Sequence, residues 1–376
     1  MTGNREKETF AKLMGFAGIT VNGDRPFDIR VTNDGFYQRV LSQRALGLGE
    51  SYMDKWWECS AIDQFFEKIL RMNIKERLRQ DWVTAWEIVK AAVFNLQRPG
   101  LAFKVGKVHY DIGNDLYQRM LDKRMQYSCA YFKDGVDLDQ AQEAKLRLIC
   151  DKLALEPGME VIELGCGFGG FARYAAKHHG VRVIGYTISK EQAKFAEAYC
   201  RGLPVTIKLA DFREARGCFD RVVSIGIMEH VGYKNYRTYM KLASDLLTDD
   251  GIVFIHTIGS NVSNIACNPW TTKYIFPNGM LPSISQLARS MEGLFVMEDW
   301  HNFGEDYDKT LMAWHDNFIR AWPDLKKSYG ERFHRMWEYY LLSSAGGFRS
   351  RSMQLWQIVM TKQGRTRPEC RLPWGI

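Results

Sequence analysis

From about Met159 onward, short apolar runs alternate with stretches whose apolar residues recur three and four positions apart. Residues 160–164, 181–186, 205–209, 221–226 and 251–257 have the length and composition of strands, and 168–178 and 190–200 have helical spacing. Strand–helix alternation of this kind predicts right-handed crossovers and a parallel sheet covered on both faces. After Pro282 the pattern predicts a further helix, a strand near 294–298, helices within 311–340 and a last strand near 354–361.

The upstream third reads differently. Ile74, Leu78, Trp82, Trp86, Val89 and Val93 would share one helix face, with Arg71, Lys75, Arg77 and Arg79 at its start. A basic, tryptophan-bearing amphipathic helix can lie on an anionic bilayer. A helix packed into a small domain with a solvated charged face has the same pattern, and most amphipathic helices simply pack. Gln97-Arg98-Pro99-Gly100 marks the break. The expected organisation is a smaller, mainly helical domain at 1–97, a linker at 98–107, an α/β domain at 108–363 and an irregular tail at 364–376.

Composition narrows the choice. A chain of 376 residues has room for two or three domains, and 46% hydrophobic with 25% charged residues describes a globular protein. No apolar run approaches the ~20 residues needed to span a bilayer. The first 20 residues are charged and lack the continuous apolar core of a secretory signal. The eight cysteines form no C-x-x-C pair, so neither a metal ribbon nor a disulfide framework is expected, and a reducing, cytoplasmic compartment is. No metal site is expected. A net charge of +7 favours nucleic acid, phosphorylated ligands or an anionic membrane as partner. The 13% of aromatic residues suits a large apolar pocket, a membrane-facing surface or a thick aromatic core.

The strongest local signal is Val161-Ile162-Glu163-Leu164-Gly165-Cys166-Gly167-Phe168-Gly169-Gly170. A strand ends in a carboxylate-bearing turn, and glycines that open a helix let a ligand approach the backbone. The fragment fits G-x-G-x-x-G, yet a dinucleotide site wants an acid about 20 residues on. That place holds Tyr186-Thr187-Ile188-Ser189, and no G-K-[S/T] follows. Glu163 could instead accept hydrogen bonds from an ammonium group. The arrangement resembles motif I of S-adenosylmethionine-dependent methyltransferases, in which the third strand commonly ends in an acid beside the adenine, as Asp211 would here.

Further stretches carry a closer resemblance: Leu48-Gly49-Glu50-Ser51-Tyr52-Met53, His109-Tyr110-Asp111, Gln126-Tyr127-Ser128-Cys129-Ala130-Tyr131, Thr187-Ile188-Ser189, Glu229-His230-Val231-Gly232, Tyr274-Ile275-Phe276-Pro277-Asn278-Gly279 and Gln354-Leu355-Trp356-Gln357. Nearly the whole chain resembles the bacterial cyclopropane-fatty-acyl-phospholipid synthase family. The related mycolic-acid cyclopropane synthases share the catalytic part and lack the N-terminal domain.

The resemblance implies a Rossmann-like class I methyltransferase fold and a lipid- or membrane-binding role for residues 1–97. It implies transfer of a methylene group from S-adenosylmethionine to the cis double bond of an unsaturated acyl chain in a membrane phospholipid. A carbocation loses a proton and closes the ring, with a bound bicarbonate as base. The implied partner is a phospholipid bilayer met from its inner face, not nucleic acid, and the implied assembly is a homodimer. The implied bicarbonate site is Cys129, Glu229, His256, Tyr307 and the backbone of Ile258. The implied cofactor site is Tyr110, Glu163, Gly165, Cys166, Gly167, Gly169, Gly170, Thr187, Gln192, Asp211 and Phe212. Taken singly, a buried cysteine, a strand-end histidine or a core tyrosine has ordinary structural uses, and His230 is expected to support its loop. Ser344 stands where many members carry a cysteine once thought to be the nucleophile, and a serine without an adjacent base is no substitute. A methyltransferase acting on another lipid or a small amine is the alternative enzyme; a non-catalytic membrane binder of the same fold would be expected to have lost Glu229 or His256.

Overall fold

The computed structural model describes residues 2–72, 113–133 and 135–368. The helix expected at 74–93 with Lys75, Arg77 and Arg79, the linker expected at 98–107, and Tyr110 lie outside the described residues.

The five expected strands form as β3 (Glu160–Leu164), β4 (Arg182–Thr187), β5 (Val205–Leu209), β6 (Phe219–Ile225) and β7 (Leu247–Ser260), followed by β8 (Val296–Asn302) and β9 (Met353–Thr361). The sheet order is β5-β4-β3-β6-β7-β9-β8. The first five strands are mutually parallel, and β9 runs antiparallel between β7 and β8. Burial explains why the last strand is central. Every residue of β9 after Met353 is buried, whereas β8 is partly exposed throughout and closes the edge.

Helices cover both faces. On one, α5 (Leu138–Lys152) and α6 (Gly170–His179) pack on Val161, Val223, Phe254 and Val359. On the other, α9 (Tyr236–Asp245) and α11 (Ile284–Met291) pack on Ile162, Val222, Ile255 and Ile358. Alternation along each strand therefore sends Glu163 toward the α5 side with Val161. Chain order reverses between β3 and β6, the crevice where open α/β sheets hold ligands.

The N-terminal part comprises α1 (Thr2–Gly15), β1 (Arg30–Val31), α2 (Gly35–Met53), β2 (Trp57–Glu58) and α3 (Ile62–Arg71). Its Phe10, Phe36, Trp57 and Phe65 share one buried cluster with Tyr117 of α4 (Asn114–Met120), Trp314 of α12 (Glu305–Leu325) and Trp337 of α13 (Glu331–Arg349). Helices α7 (Lys190–Tyr199), α8 (Met228–Val231) and α10 (Pro269–Tyr274) complete the described set. Glycine permits the contact of α13 with α3: a Cβ on Gly346 would stand 2.3 Å from the Asp63 carbonyl oxygen. Polar bonds line the same seam. Arg335 donates to the carbonyls of Tyr52 and Trp57, and Arg349 bridges Asp63 and Asp308.

Glu50 accepts from Lys273 at 2.6 Å, Tyr274 at 2.8 Å and Arg39 at 2.6 Å. Burial alone would push its carboxyl up, but the three donors outweigh burial and bring it from 4.5 to about 2. A depressed folded value contributes stability above the unfolded pKa that is lost as pH falls through the folded one. Glu50→Gln should therefore unfold at lower urea than the parent at pH 7, with the gap in unfolding free energy closing between pH 4.5 and about 2. A gap independent of pH would show that the ionised carboxylate is not what holds the seam.

Candidate active site

A cavity of about 410 Å³ opens at the carboxyl ends of β3, β4, β5 and β6. Gly165, Gly167, Thr187, Gln192, Asp211 and Phe212 line it, all of them expected cofactor residues. The glycines divide by task. Gly165, Gly167 and Gly169 have φ of 106°, 52° and 79°, which L side chains rarely adopt. A Cβ at Gly167 meets nothing within 4 Å, so this backbone faces open cavity, whereas one at Gly170 would lie 1.9 Å from Gln126 Nε2. Gly169 and Gly170 thus serve the packing of the turn, Gly167 serves the cavity, and Gly165 does both, lining the cavity while a Cβ there would lie 2.1 Å from Ile227 Cδ1. The Cys166 amide donates to the Tyr186 carbonyl at 2.7 Å, fixing the turn to β4.

Glu163 is 3% exposed, and its Oε2 has no hydrogen-bond partner. Burial pushes its carboxyl up to about 8, against the opposing pull of Lys145. A buried acceptor of this kind beside a glycine cradle fits a cationic ligand group. Thr187 Oγ1 donates to Gln192 Oε1 at 3.0 Å, leaving the Gln192 amide donors for a ligand. Ser189 caps α7 and sets Gln192 in its first turn. Asp211 is held by Arg213, whose Nε lies 2.8 Å from Oδ1. Phe212 meets Tyr239 edge to face at 5.2 Å.

The second set sits on α8, β7, α12 and the segment before α5. Glu229, 9% exposed at the start of α8, accepts from the Ile258 amide at 2.6 Å through Oε1, and Oε2 has no partner. Its carboxyl is pushed by burial to about 7, with the Ile258 amide pulling the other way. The Ile258 N–H is thereby committed to Glu229 in this structure. His256, two residues earlier on β7, is 1% exposed. Its Nδ1 lies 3.4 Å from Gln357 Nε2, and its Nε2 has no partner. Burial drives its pKa well below the usual value, so the ring is neutral. Cys129 Sγ donates to the Ala130 carbonyl at 3.2 Å, and Thr310 Oγ1 lies 3.9 Å away. Burial pushes that thiol well up, so it is a donor and not a thiolate. Tyr307, one turn before Thr310, stacks on Phe348 at 4.5 Å. Ile258 packs against the large buried cluster that also contains Cys129 and Tyr307.

Several cavity-lining residues were not legible in the sequence as such: Tyr127, Arg213, His230, Asn235, Thr238 and Tyr239. The last three sit at the start of α9, where Asn235, Thr238 and Tyr239, spaced three and one apart, were the available signal. Tyr127 also bonds the Tyr340 hydroxyl at 3.0 Å, so the cavity wall rests on α13. Among the described residues no group of acids, histidines and cysteines is arranged to hold a metal ion.

Residues 98–358 match the model of the mycolic acid cyclopropane synthetase family. A cyclopropane-fatty-acyl-phospholipid synthase of Escherichia coli K12 is 54% identical over 351 residues, 93% of this chain and 92% of that protein. A tuberculostearic acid methyltransferase of Mycobacterium tuberculosis is 30% identical over 355 residues, 88% of this chain and 82% of that protein. Among solved structures, a cyclopropane synthase from Mycobacterium tuberculosis superposes with a TM-score of 0.66 at 28% identity, over 69% of this chain and 98% of that one. A mycolic acid cyclopropane synthase complexed with S-adenosylhomocysteine and CTAB gives 0.65 at 30% identity, over the same shares. With a glycine cradle at the switch point of a class I methyltransferase sheet, and a match of this length, the chain belongs to the mycolic acid cyclopropane synthetase family, which uses S-adenosylmethionine to form cyclopropane rings on lipid double bonds.

Proposed function

We propose that the chain converts cis double bonds of unsaturated acyl chains in membrane phospholipids into cyclopropane rings, with bicarbonate as the base. The observation that carries this reading is Glu229: a buried carboxyl on the turn that lines the cofactor cavity, with one oxygen fixed by the Ile258 amide and the other unbonded, while His256, two residues before Ile258 on β7, is neutral with its Nε2 unbonded.

When bound, S-adenosylmethionine supplies an electrophilic methyl group on a sulfonium. Gly165 and Gly167 would admit it closely, Glu163 would take its ammonium group, and Gln192 and Asp211 would hold its ribose and adenine. An ammonium beside Glu163 favours the ionised carboxylate, so binding draws off the proton that burial retains there. The alkene is a weak nucleophile, and turnover needs it held in line with the methyl. When bound, bicarbonate supplies negative charge and a proton acceptor near the developing cation. The Cys129 thiol, the Tyr307 hydroxyl and the His256 ring would hold it, and Glu229 would keep its remaining proton or take it up. A carboxyl near 7 can serve in either form at neutral pH. The faces of Tyr127 and Tyr307 would stabilise a neighbouring carbocation.

No described helix is long and apolar enough to cross a membrane. By likeness to the phospholipid synthase relative, access to an esterified acyl chain is assigned to peripheral attachment at the inner face, with residues 1–97 as the lipid-binding domain and a homodimer as the working assembly. Ser344 is half-buried on α13, and no hydrogen bond links it to a base. It takes no part in the proposed chemistry.

Gly167→Val should abolish S-adenosylmethionine binding by calorimetry while the far-ultraviolet circular dichroism stays native, because the branched side chain would project into the cradle. Unchanged affinity would remove the turn from the site. Glu229→Gln and Tyr307→Phe should each slow cyclopropane formation on unsaturated phospholipid vesicles roughly a hundredfold, about 3 kcal/mol of barrier. Mass spectrometry reads the product as a gain of CH₂ with loss of the double bond. Affinity for S-adenosylmethionine should hardly change, and bicarbonate added to carbon-dioxide-depleted buffer should stimulate the parent more than either variant. Ser344→Ala should retain parental turnover; an inactive Ser344→Ala beside an active Glu229→Gln would overturn the mechanism. A methylated product that retains its double bond would favour methyl transfer alone.

A further inference from the structure

Helix α5 carries two polar residues in the middle of its buried face. Gln142 and Lys145 are both fully buried, among Ala141, Leu146 and Ile149. Both reach the segment that leads to Cys129. Gln142 Nε2 donates to the Ser128 carbonyl at 2.9 Å. Lys145 Nζ donates to Gln126 Oε1 at 2.6 Å and to Ser128 Oγ at 3.0 Å. Gln126 is itself wedged under the glycine turn: its Nε2 occupies the space a side chain at Gly170 would need, and its backbone N–H donates to Asp122 Oδ1 at 2.8 Å.

An ammonium is costly to bury, and its hydrogen-bond partners here are neutral. A methionine would fill the same volume without that cost, so core packing does not account for the charge. The charged and titratable groups that act on Lys145 come from three elements around it: Asp122 from the turn after α4, Cys129 from the following segment and Glu163 from β3. Lys145 in turn acts on His256 of β7. By its hydrogen bonds the ammonium is tied to the stretch that runs from beneath the glycine turn to the residue before Cys129.

We propose, building on the function above, that Lys145 is a positioning residue for the transfer reaction: its buried ammonium locks Gln126 and Ser128 beneath the glycine turn and supplies the positive charge that lets Glu163, and an anion beside Cys129, carry negative charge. Lys145 is pushed down by burial to about 8 and remains mostly charged at neutral pH. Removing it takes away the attraction that opposes the raised value of Glu163, so Glu163 would hold its proton to higher pH.

The test is calorimetric titration of the full-length protein with S-adenosylmethionine between pH 6.5 and about 9.5, a range spanning roughly 1.5 units either side of the Glu163 value. The ligand's own α-ammonium loses its proton in the same range, so the reading is the ratio of variant to parent affinity at each pH. In Lys145→Met affinity should fall about tenfold below the parent's at pH 6.5 to 7.5, where Lys145 is mostly charged. Above about pH 9, where the parent's Lys145 has itself lost its proton, the variant should bind no more weakly than the parent. Lys145→Arg keeps the charge and should keep parental affinity at pH 6.5 to 7.5. Lys145→Gln keeps the donated bonds without the charge and should lose affinity as Lys145→Met does, which serves if the methionine variant does not fold. At saturating cofactor and neutral pH, turnover should fall further in Lys145→Met than in Lys145→Arg. Parental affinity in a folded neutral variant at pH 6.5 to 7.5, or an equal loss of affinity at every pH, would each overturn the proposal. Binding is read without any lipid. A parent that shows the pH-dependent gap but makes no cyclopropane would sink the proposed function and leave Lys145 in its role.

Discussion

A carboxylate keeps its charge inside a protein only where donors or cations surround it, and the crevice of this sheet holds two, Glu163 and Glu229. Each has one unbonded oxygen and a pKa pushed well above that of an exposed acid. The elements around them are arranged about that difficulty. Helix α5 brings Lys145 to the first, and the end of β7 brings the Ile258 amide to the second. The crevice is therefore prepared for charge that arrives with ligands. This suits chemistry in which a cationic donor enters one end and a cation must be managed at the other.

The aromatic excess of the chain finds its place in the same terms. Much of it forms one cluster running from Phe10 and Trp57 through Trp337 to Tyr307 and Phe348. The N-terminal elements thus bury their apolar faces against α13, the helix whose Phe348 supports Tyr307 and whose Tyr340 is bonded to Tyr127. A displacement of α3 would be felt at α13 through the Gly346 contact, because packed interiors transmit shifts of this size.

The sequence made the strands and the cofactor turn legible because both are local. Strands at 160–164 and 205–209 follow from apolar runs bounded by turn residues, and the glycines announce the turn by their spacing. The order of the sheet was not legible, since nothing local says that the last strand pairs between β7 and β8. The residues of the second set were nameable only through resemblance: Cys129, Glu229, His256 and Tyr307 are separated by up to 178 positions, and no local pattern links them. Lys145 was hidden for a different reason. A lysine in a charged amphipathic helix reads as solvated surface, and only the packed structure shows that it points inward.

The antiparallel insertion of β9 carries a temporal consequence. His256 is opposed by Gln357, and Ile258 by Leu355, across that pairing. The strand that bears half of the site is thus an edge with unpaired backbone groups until residues beyond 353 have been made. Such long-range pairing closes late on or after the ribosome. A nascent chain can complete its glycine turn and hold a cofactor pocket while the neighbouring wall is still open. Capacity to bind the donor and capacity to complete the transfer would then mature at different moments in the life of one molecule.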